Sequence, residues 1–156
     1  VCRTVKKMPE RGDIITFEAP SKVAMSSEGV DLDNPVAIYD NEPKNVFSKF
    51  VYHVLEWGKD SYIKRVIGLP GDHIKIENGK VYINDEEFEE SYLGDYVVTT
   101  GGVYTDIIVP ENCVFAMGDN RENSKDSRNF GCIPLKKIEG KVVIRFFPFN
   151  RFGKIN

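Results

Sequence analysis

In Tyr62-Ile63-Lys64-Arg65-Val66-Ile67, two cations sit inside a β-rich apolar run. The two-residue period of a strand puts Tyr62, Lys64 and Val66 on one face and Ile63, Arg65 and Ile67 on the other, so each face carries one cation among large apolar groups. Taking an unpaired ammonium ion out of water is costly, and the group responds by losing its proton. A lysine placed in this way becomes a base usable near neutral pH. From this segment alone, pairing with a carboxylate, or a stem that snorkels at a sheet edge, explains Lys64 at least as well. A second constellation is Gly118-Asp119-Asn120-Arg121-Glu122-Asn123-Ser124-Lys125-Asp126-Ser127-Arg128-Asn129-Phe130-Gly131, which is too polar for a core strand. Asp119, Arg121, Asp126 and Arg128 alternate in sign at a spacing suited to a loop cross-braced by bidentate carboxylate–guanidinium pairs. A solvated loop with incidental ion pairs has the same composition.

Other chemistries find less support. The two histidines, His53 and His73, have no carboxylate at the spacing of a metal cluster or a histidine-dependent triad, and both read as surface or packing residues. Cys2, Cys113 and Cys132 form no CxxC pair, so no metal site and no cofactor is expected. Cys113 and Cys132 could face each other across a hairpin, and their pairing is left open. A net charge of −3, with basic residues scattered along the chain, offers no footprint for nucleic acid. No run of about 18 apolar residues is present, so the sequence as printed contains no membrane span.

The elements that must hold these residues are mostly strands. At 41% apolar and 29% charged residues, the 156-residue chain can bury one sizeable core. Met8-Pro9-Glu10-Arg11-Gly12-Asp13 reads as a tight turn feeding a strand at Ile14 to Phe17. An Arg-Gly-Asp tripeptide that opens a strand is poorly placed to be an adhesion ligand, which belongs at an exposed loop tip. Glu18 to about Asn45 is a polar excursion. Val46, Phe50, Val54 and Trp57 recur at helical spacing within Lys44 to Lys59, predicting an amphipathic helix ended by Gly58, its aromatic stripe serving packing. Ser61 to Ile67 is a second strand. Ile74, Ile76, Val81 and Ile83 alternate around Asn78-Gly79, the signature of a hairpin with a type I′ turn. Tyr96 to Thr100, Val103 to Val109, Cys113 to Met117 and Lys141 to Phe147 read as further strands.

The segments Pro9 to Phe17, Tyr62-Ile63-Lys64-Arg65-Val66-Ile67-Gly68-Leu69-Pro70-Gly71-Asp72 and Gly118 to Gly131, in this order, resemble three boxes shared by bacterial type I signal peptidases, which are serine-lysine proteases. The last two boxes are highly specific, whereas residues 18–60 are not clearly covered. The resemblance implies a mainly β fold: a coiled antiparallel sheet core of signal-peptidase type, a small second β subdomain and one inserted helix. The core would comprise 1–72 and 109–156, with an insertion at 18–60 carrying the helix near 44–58, and the subdomain would be 73–108. Lys64 matches the neutral lysine that acts as general base, and Ser124 the loop serine whose hydroxyl orients it. Asp119, Arg121, Asp126 and Arg128 match the braces of the loop. Phe17, Tyr62 and Met117 match residues that keep the lysine dry, and Ser61-Tyr62-Ile63 the edge on which an extended substrate lies.

The family's nucleophile lies in a Ser-Met-x-Pro box upstream of the Arg-Gly-Asp box. Val1 to Met8 contain no serine, and no such box follows downstream. With that box would go the oxyanion hole. The expectation is a truncated or processed piece that cleaves nothing alone. Its parent would be a peptidase of the plasma membrane, with the catalytic body on the extracytoplasmic side, signal-peptide-bearing preproteins as partners and a membrane surface beside it. Ser26 and Ser27 are weak substitutes for the missing serine, lying in a polar stretch with no proline after them. Phe146-Phe147-Pro148-Phe149 and Phe152 suit core packing or, alternatively, contact with lipid. Two other assignments remain: a self-cleaving repressor domain, which lacks such a loop, and a silent peptide-binding or scaffolding module, which has little use for a desolvated lysine.

Overall fold

The computed structural model describes residues 8–24, 30–40, 60–94, 96–142, 144–145 and 153–154. The helix expected near 44–58, Ser26 and Ser27, His53 and the Phe146–Phe152 aromatics lie outside them. The fold is mainly β, built on two antiparallel sheets. The first contains β1 (Ile14–Glu18), β2 (Ser61–Gly68), β7 (Cys113–Met117), β8 (Ile133–Pro134) and β9 (Ile138–Lys141) in the order β8-β7-β2-β1-β9. The second contains β3 (His73–Glu77), β4 (Lys80–Ile83), β5 (Glu86–Glu87) and β6 (Asp106–Ile108) in the order β5-β4-β3-β6. β10 (Ile144–Arg145) and β11 (Gly153–Lys154) pair with each other. A one-turn helix, α1 (Ser127–Phe130), follows the polar loop.

Strand parity sorts the side chains of the five-stranded sheet into two cores. Val66, Val114 and Ala116 join Ile15, Phe17, Phe130, Ile133 and Ile138 on one side. Ile67, Cys113, Phe115 and Met117 join Ile74, Val81, Ile83, Ile107 and Val109 on the other, so this second cluster is shared by both sheets. Residues one apart in β7 therefore serve different cores, as the pleat requires. The β3–β4 turn is the expected two-residue one: Glu77 pairs with Lys80, and Asn78 and Gly79 both take positive φ, at 51° and 82°.

Two expected strands change, and the open question of the two cysteines is answered. Residues 96–100 form no strand. Thr99 turns inward while Val97 and Val98 stay exposed, and its amide is satisfied by the Gly79 carbonyl, 2.8 Å away, rather than by a ladder. The strand read over 103–109 shrinks to β6, because Val103 and Tyr104 both donate their amides to the Arg128 carbonyl. Cys113 and Cys132 are both buried and free, and burial pushes both thiols up. The ends of the Arg-Gly-Asp tripeptide are engaged within the fold, Arg11 by Asp72 at 3.0 Å and Asp13 by Lys141 at 2.5 Å.

Candidate active site

β2 changes its surroundings halfway along. Ser61 to Arg65 pair with β1, but pairing with β7 begins only at Arg65. Val66 exchanges backbone hydrogen bonds with Gly12 and Asp13, and Asp60 accepts from Ala19, all on the β1 side. Alternation then turns the backbone groups of Ser61 and Ile63 to the opposite side, where no described strand covers them. Ser61 also donates its hydroxyl to Glu139, 2.8 Å away, and the Ile63 side chain is 59% exposed.

Lys64 stands at the boundary between the open and the covered parts of β2, opposite Ile15. Its amine lies 5.5 Å from the centroid of the Tyr62 ring. Tyr62, Phe17 and Phe130 form an aromatic trio with centroids 6.1–6.2 Å apart, Phe17 meeting Tyr62 edge-on. Among the described residues no carboxylate is paired with the Lys64 amine. Burial lowers its pKa from 10.5; the Asp126 charge pulls the other way, and that of Arg128 adds to the lowering. Arg65, its neighbour on the other face, resolves the same problem differently. It holds Asp119 bidentately, with Nε at 2.9 Å and Nη2 at 2.8 Å, and the hydrogen bond to Asp119 raises its pKa.

Ser124 and Lys64 both approach position 118, which has no side chain. A Cβ on Gly118 would lie 2.2 Å from Ser124 Oγ and 3.6 Å from Lys64 Nζ, so the hydroxyl and the amine converge on the same point. Ser124 Oγ is buried and makes no hydrogen bond to the described protein groups. A buried hydroxyl beside a desolvated amine is an arrangement that can orient that amine.

The loop is held from inside and from outside. Inside it, Asp126 caps α1 and accepts from Arg128 Nε at 2.9 Å, Arg128 Nη2 at 2.8 Å and the Gly118 amide at 3.0 Å. Asp126 is fully buried and Arg128 nearly so. The other two braces bind outward, which corrects the expectation of pairing within the loop. Asp119, half exposed at the surface, goes to Arg65 of β2, and Arg121, with its side chain buried in the body of the protein, goes to Glu90.

A family model described as "Signal peptidase, peptidase S26" matches residues 2–147, and with them every element of this arrangement. The chain belongs to that family. It is 39% identical over 126 residues to signal peptidase I of Bacillus caldolyticus, covering 74% of this chain and 68% of that one. It is 41% identical over 109 residues to signal peptidase IB of Staphylococcus aureus, covering 60% of this chain and 56% of that one. Against probable signal peptidase I-2 of Synechocystis it is 38% identical over 94 residues, covering 60% of this chain but only 42% of that one. The crystal structure of a signal peptidase I from Enterococcus faecalis superposes with a TM-score of 0.53 at 25% identity, covering 87% of this chain and 97% of that one.

In this peptidase S26 chain, Lys64, Ser124, Phe17 and Tyr62 meet at one place, and the Ser61–Ile63 edge leads into it. Met117 does not join them. It pairs with Arg65 across β2 and β7 and is buried in the cluster on the opposite face, so Ala116, which pairs with Val66, is the β7 residue on the lysine's side. The sequence reading missed Phe130, Glu90, Tyr92 and Thr99. Phe130 had a legible signal, being the one large apolar residue of the polar box. Glu90 and Tyr92 carried none, lying in a stretch without period.

The lowered pKa of Lys64 has a stability consequence. The native state holds this proton less tightly than the unfolded chain does. The resulting destabilisation is fully present below the native pKa and fades as the pH rises toward 10.5. Lys64→Met is therefore expected to be more stable than the parent at neutral pH, with the difference closing as the pH rises, as read by urea denaturation at several pH values. A variant that is less stable throughout would contradict the desolvation account.

Proposed function

We propose that this chain carries the general-base half of a serine-lysine endopeptidase that removes N-terminal signal peptides from exported preproteins. The observation that carries the proposal is the convergence of Lys64 Nζ and Ser124 Oγ on Gly118, beside aromatic rings and with no paired carboxylate among the described residues. A neutral amine there can take the proton of an attacking serine hydroxyl, and the Ser124 hydroxyl, which has no other partner among the described groups, is placed near enough to Gly118 to turn toward the amine and orient it. The edge at Ser61 and Ile63, which no described strand covers, suits an extended peptide added as a strand. Shallow pockets along it would favour small side chains, typically Ala, just before the cut and two residues further upstream. Asp126 with Arg128, Asp119 with Arg65 and Arg121 with Glu90 keep the loop in register with the lysine. The place of action would be the extracytoplasmic side of the plasma membrane, beside the lipid that holds the precursors.

The hydroxyls of Ser124 and Ser127 are unsuited to attack. The first is buried, and the second accepts from the Ala116 amide at 3.0 Å inside a fully buried residue. The 156-residue chain alone is thus expected to leave a signal-peptide substrate intact. Joined behind a Ser-Met-x-Pro segment of its family, it is expected to cut after an Ala-x-Ala sequence and to stop when both alanines are replaced by Phe. Cleavage indifferent to those alanines, or none from the joined form, would sink the proposal; Lys64-dependent turnover by the chain alone would sink the inactivity.

A further inference from the structure

Gly118 is the point against which both Lys64 and Ser124 pack, and its peptide groups are held at both ends. Its amide donates to Asp126, 3.0 Å away, within the loop. Its carbonyl accepts from Arg121 Nε at 3.1 Å. Arg121 in turn is anchored far away in the chain. Its side chain is completely buried, Nη1 donates to Glu90 Oε2 at 2.7 Å and to Thr99 at 2.5 Å, and Nη2 donates to Glu90 Oε1. Tyr92 donates its hydroxyl to Glu90 Oε1 at 2.5 Å, and its ring lies 4.1 Å from the Arg65 guanidinium. Thr100 accepts from Arg128 Nη1 at 2.7 Å. The irregular stretch between β5 and β6 thus touches three of the arginines around the lysine. Within it, Glu90 is the residue that neutralises a buried guanidinium.

We propose that Glu90 is a positioning residue for Lys64, acting through Arg121 to hold the Gly118 peptide against the amine. This rests on the general-base reading of Lys64. A buried guanidinium deprived of its carboxylate is an uncompensated charge, and it is relieved by moving toward water. Arg121 would carry the Gly118 carbonyl with it, and the Arg128 Nη2 that donates to the Arg121 carbonyl at 2.8 Å would follow. Water would then reach Lys64. The charged groups that face the amine from the loop, Asp126 and Arg128, stay in the protein, so hydration is what changes.

The sign of the response separates this role from simple electrostatics. Removing a negative charge from a fixed structure lowers a lysine pKa, whereas hydrating the amine raises it. The test is the titration of the Lys64 ε-methylene by NMR in the folded 156-residue chain labelled with carbon-13 lysine, assigned by its loss in Lys64→Arg. Glu90→Gln is expected to raise the Lys64 midpoint, and to speed exchange of the Gly118 amide by about tenfold or more, the loss of a charge-assisted hydrogen bond. Glu89→Gln, which removes the same charge from an exposed neighbour, is expected to leave both unchanged. A folded Glu90→Gln with an unchanged or lowered midpoint overturns the proposal. Should that variant not fold, the double variant Glu90→Gln with Arg121→Met removes the stranded charge along with its partner but also the Nε–H that holds the Gly118 carbonyl, so the peptide is released by a second route and a raised midpoint is again expected; an unchanged midpoint there overturns the proposal equally. A parent Lys64 that titrates at the ordinary lysine value overturns the general-base reading itself, whereas a depressed parent midpoint that ignores Glu90 overturns only the positioning role.

Discussion

Asp126→Ala is expected to lower the unfolding free energy by about 3–5 kcal/mol, the range for removing one partner of a buried ion pair. Three functions converge on this fully buried carboxylate. It neutralises Arg128 through two hydrogen bonds of 2.8 and 2.9 Å, caps α1 by accepting the Arg128 amide at 3.2 Å, and accepts the Gly118 amide at 3.0 Å. The dominant cost is the stranded Arg128 charge. Asp126→Ala combined with Arg128→Met should therefore recover much of the loss, because the uncompensated charge leaves with its partner. Urea denaturation of the two variants checks this. A single-variant loss of under about 1 kcal/mol, the size expected of an exposed pair, would show that the loop does not depend on this buried contact.

Lys64→Ala, made in the form joined to a Ser-Met-x-Pro segment, is expected to reduce kcat by about a hundred- to ten-thousand-fold with little change in KM, since a general base acts on a proton moving in the transition state. Lys64→Arg should be equally damaging even though it keeps a long basic side chain, because a guanidinium does not give up its proton at any pH the fold survives. These two variants together separate base chemistry from packing. A substantially active Lys64→Arg would mean that the position supplies charge or bulk. Steady-state cleavage of an Ala-x-Ala peptide, with thermal melts to confirm that both variants fold, gives the answer.

What could be read beforehand divides along the range of the interactions involved. The strands at Ser61 to Ile67 and Cys113 to Met117 were legible because each is a short β-rich apolar run, and the β3–β4 hairpin because Asn78 and Gly79 demand a turn with two positive φ values. Lys64 was legible as an anomaly, a cation on an apolar strand, though its role came from likeness to a family. The stretch 96–100 misled because Val97, Val98 and Thr99 favour strands, yet the tertiary structure uses Thr99 to accept from Arg121 and leaves the valines outside. Met117 misled for a different reason. Which of two adjacent residues faces Lys64 depends on the register between β7 and β2, and register is a long-range property that local pattern does not carry. The same holds for the outward braces. Asp119 finds Arg65 and Arg121 finds Glu90 across separations of 54 and 31 residues, so the alternating charges of the loop announced bracing without disclosing the partners.

Lys64 acts as a base only if its amine is desolvated and holds its proton less tightly than an ordinary lysine does, and titration of its ε-methylene resonance in the folded parent chain measures that directly. The predicted result is a midpoint below the ordinary lysine value of 10.5, set by burial beside Tyr62 and Ser124. A midpoint at or above 10.5 in the folded protein would contradict it, because the amine would then be a solvated or paired ammonium ion with no lone pair to take the serine's proton.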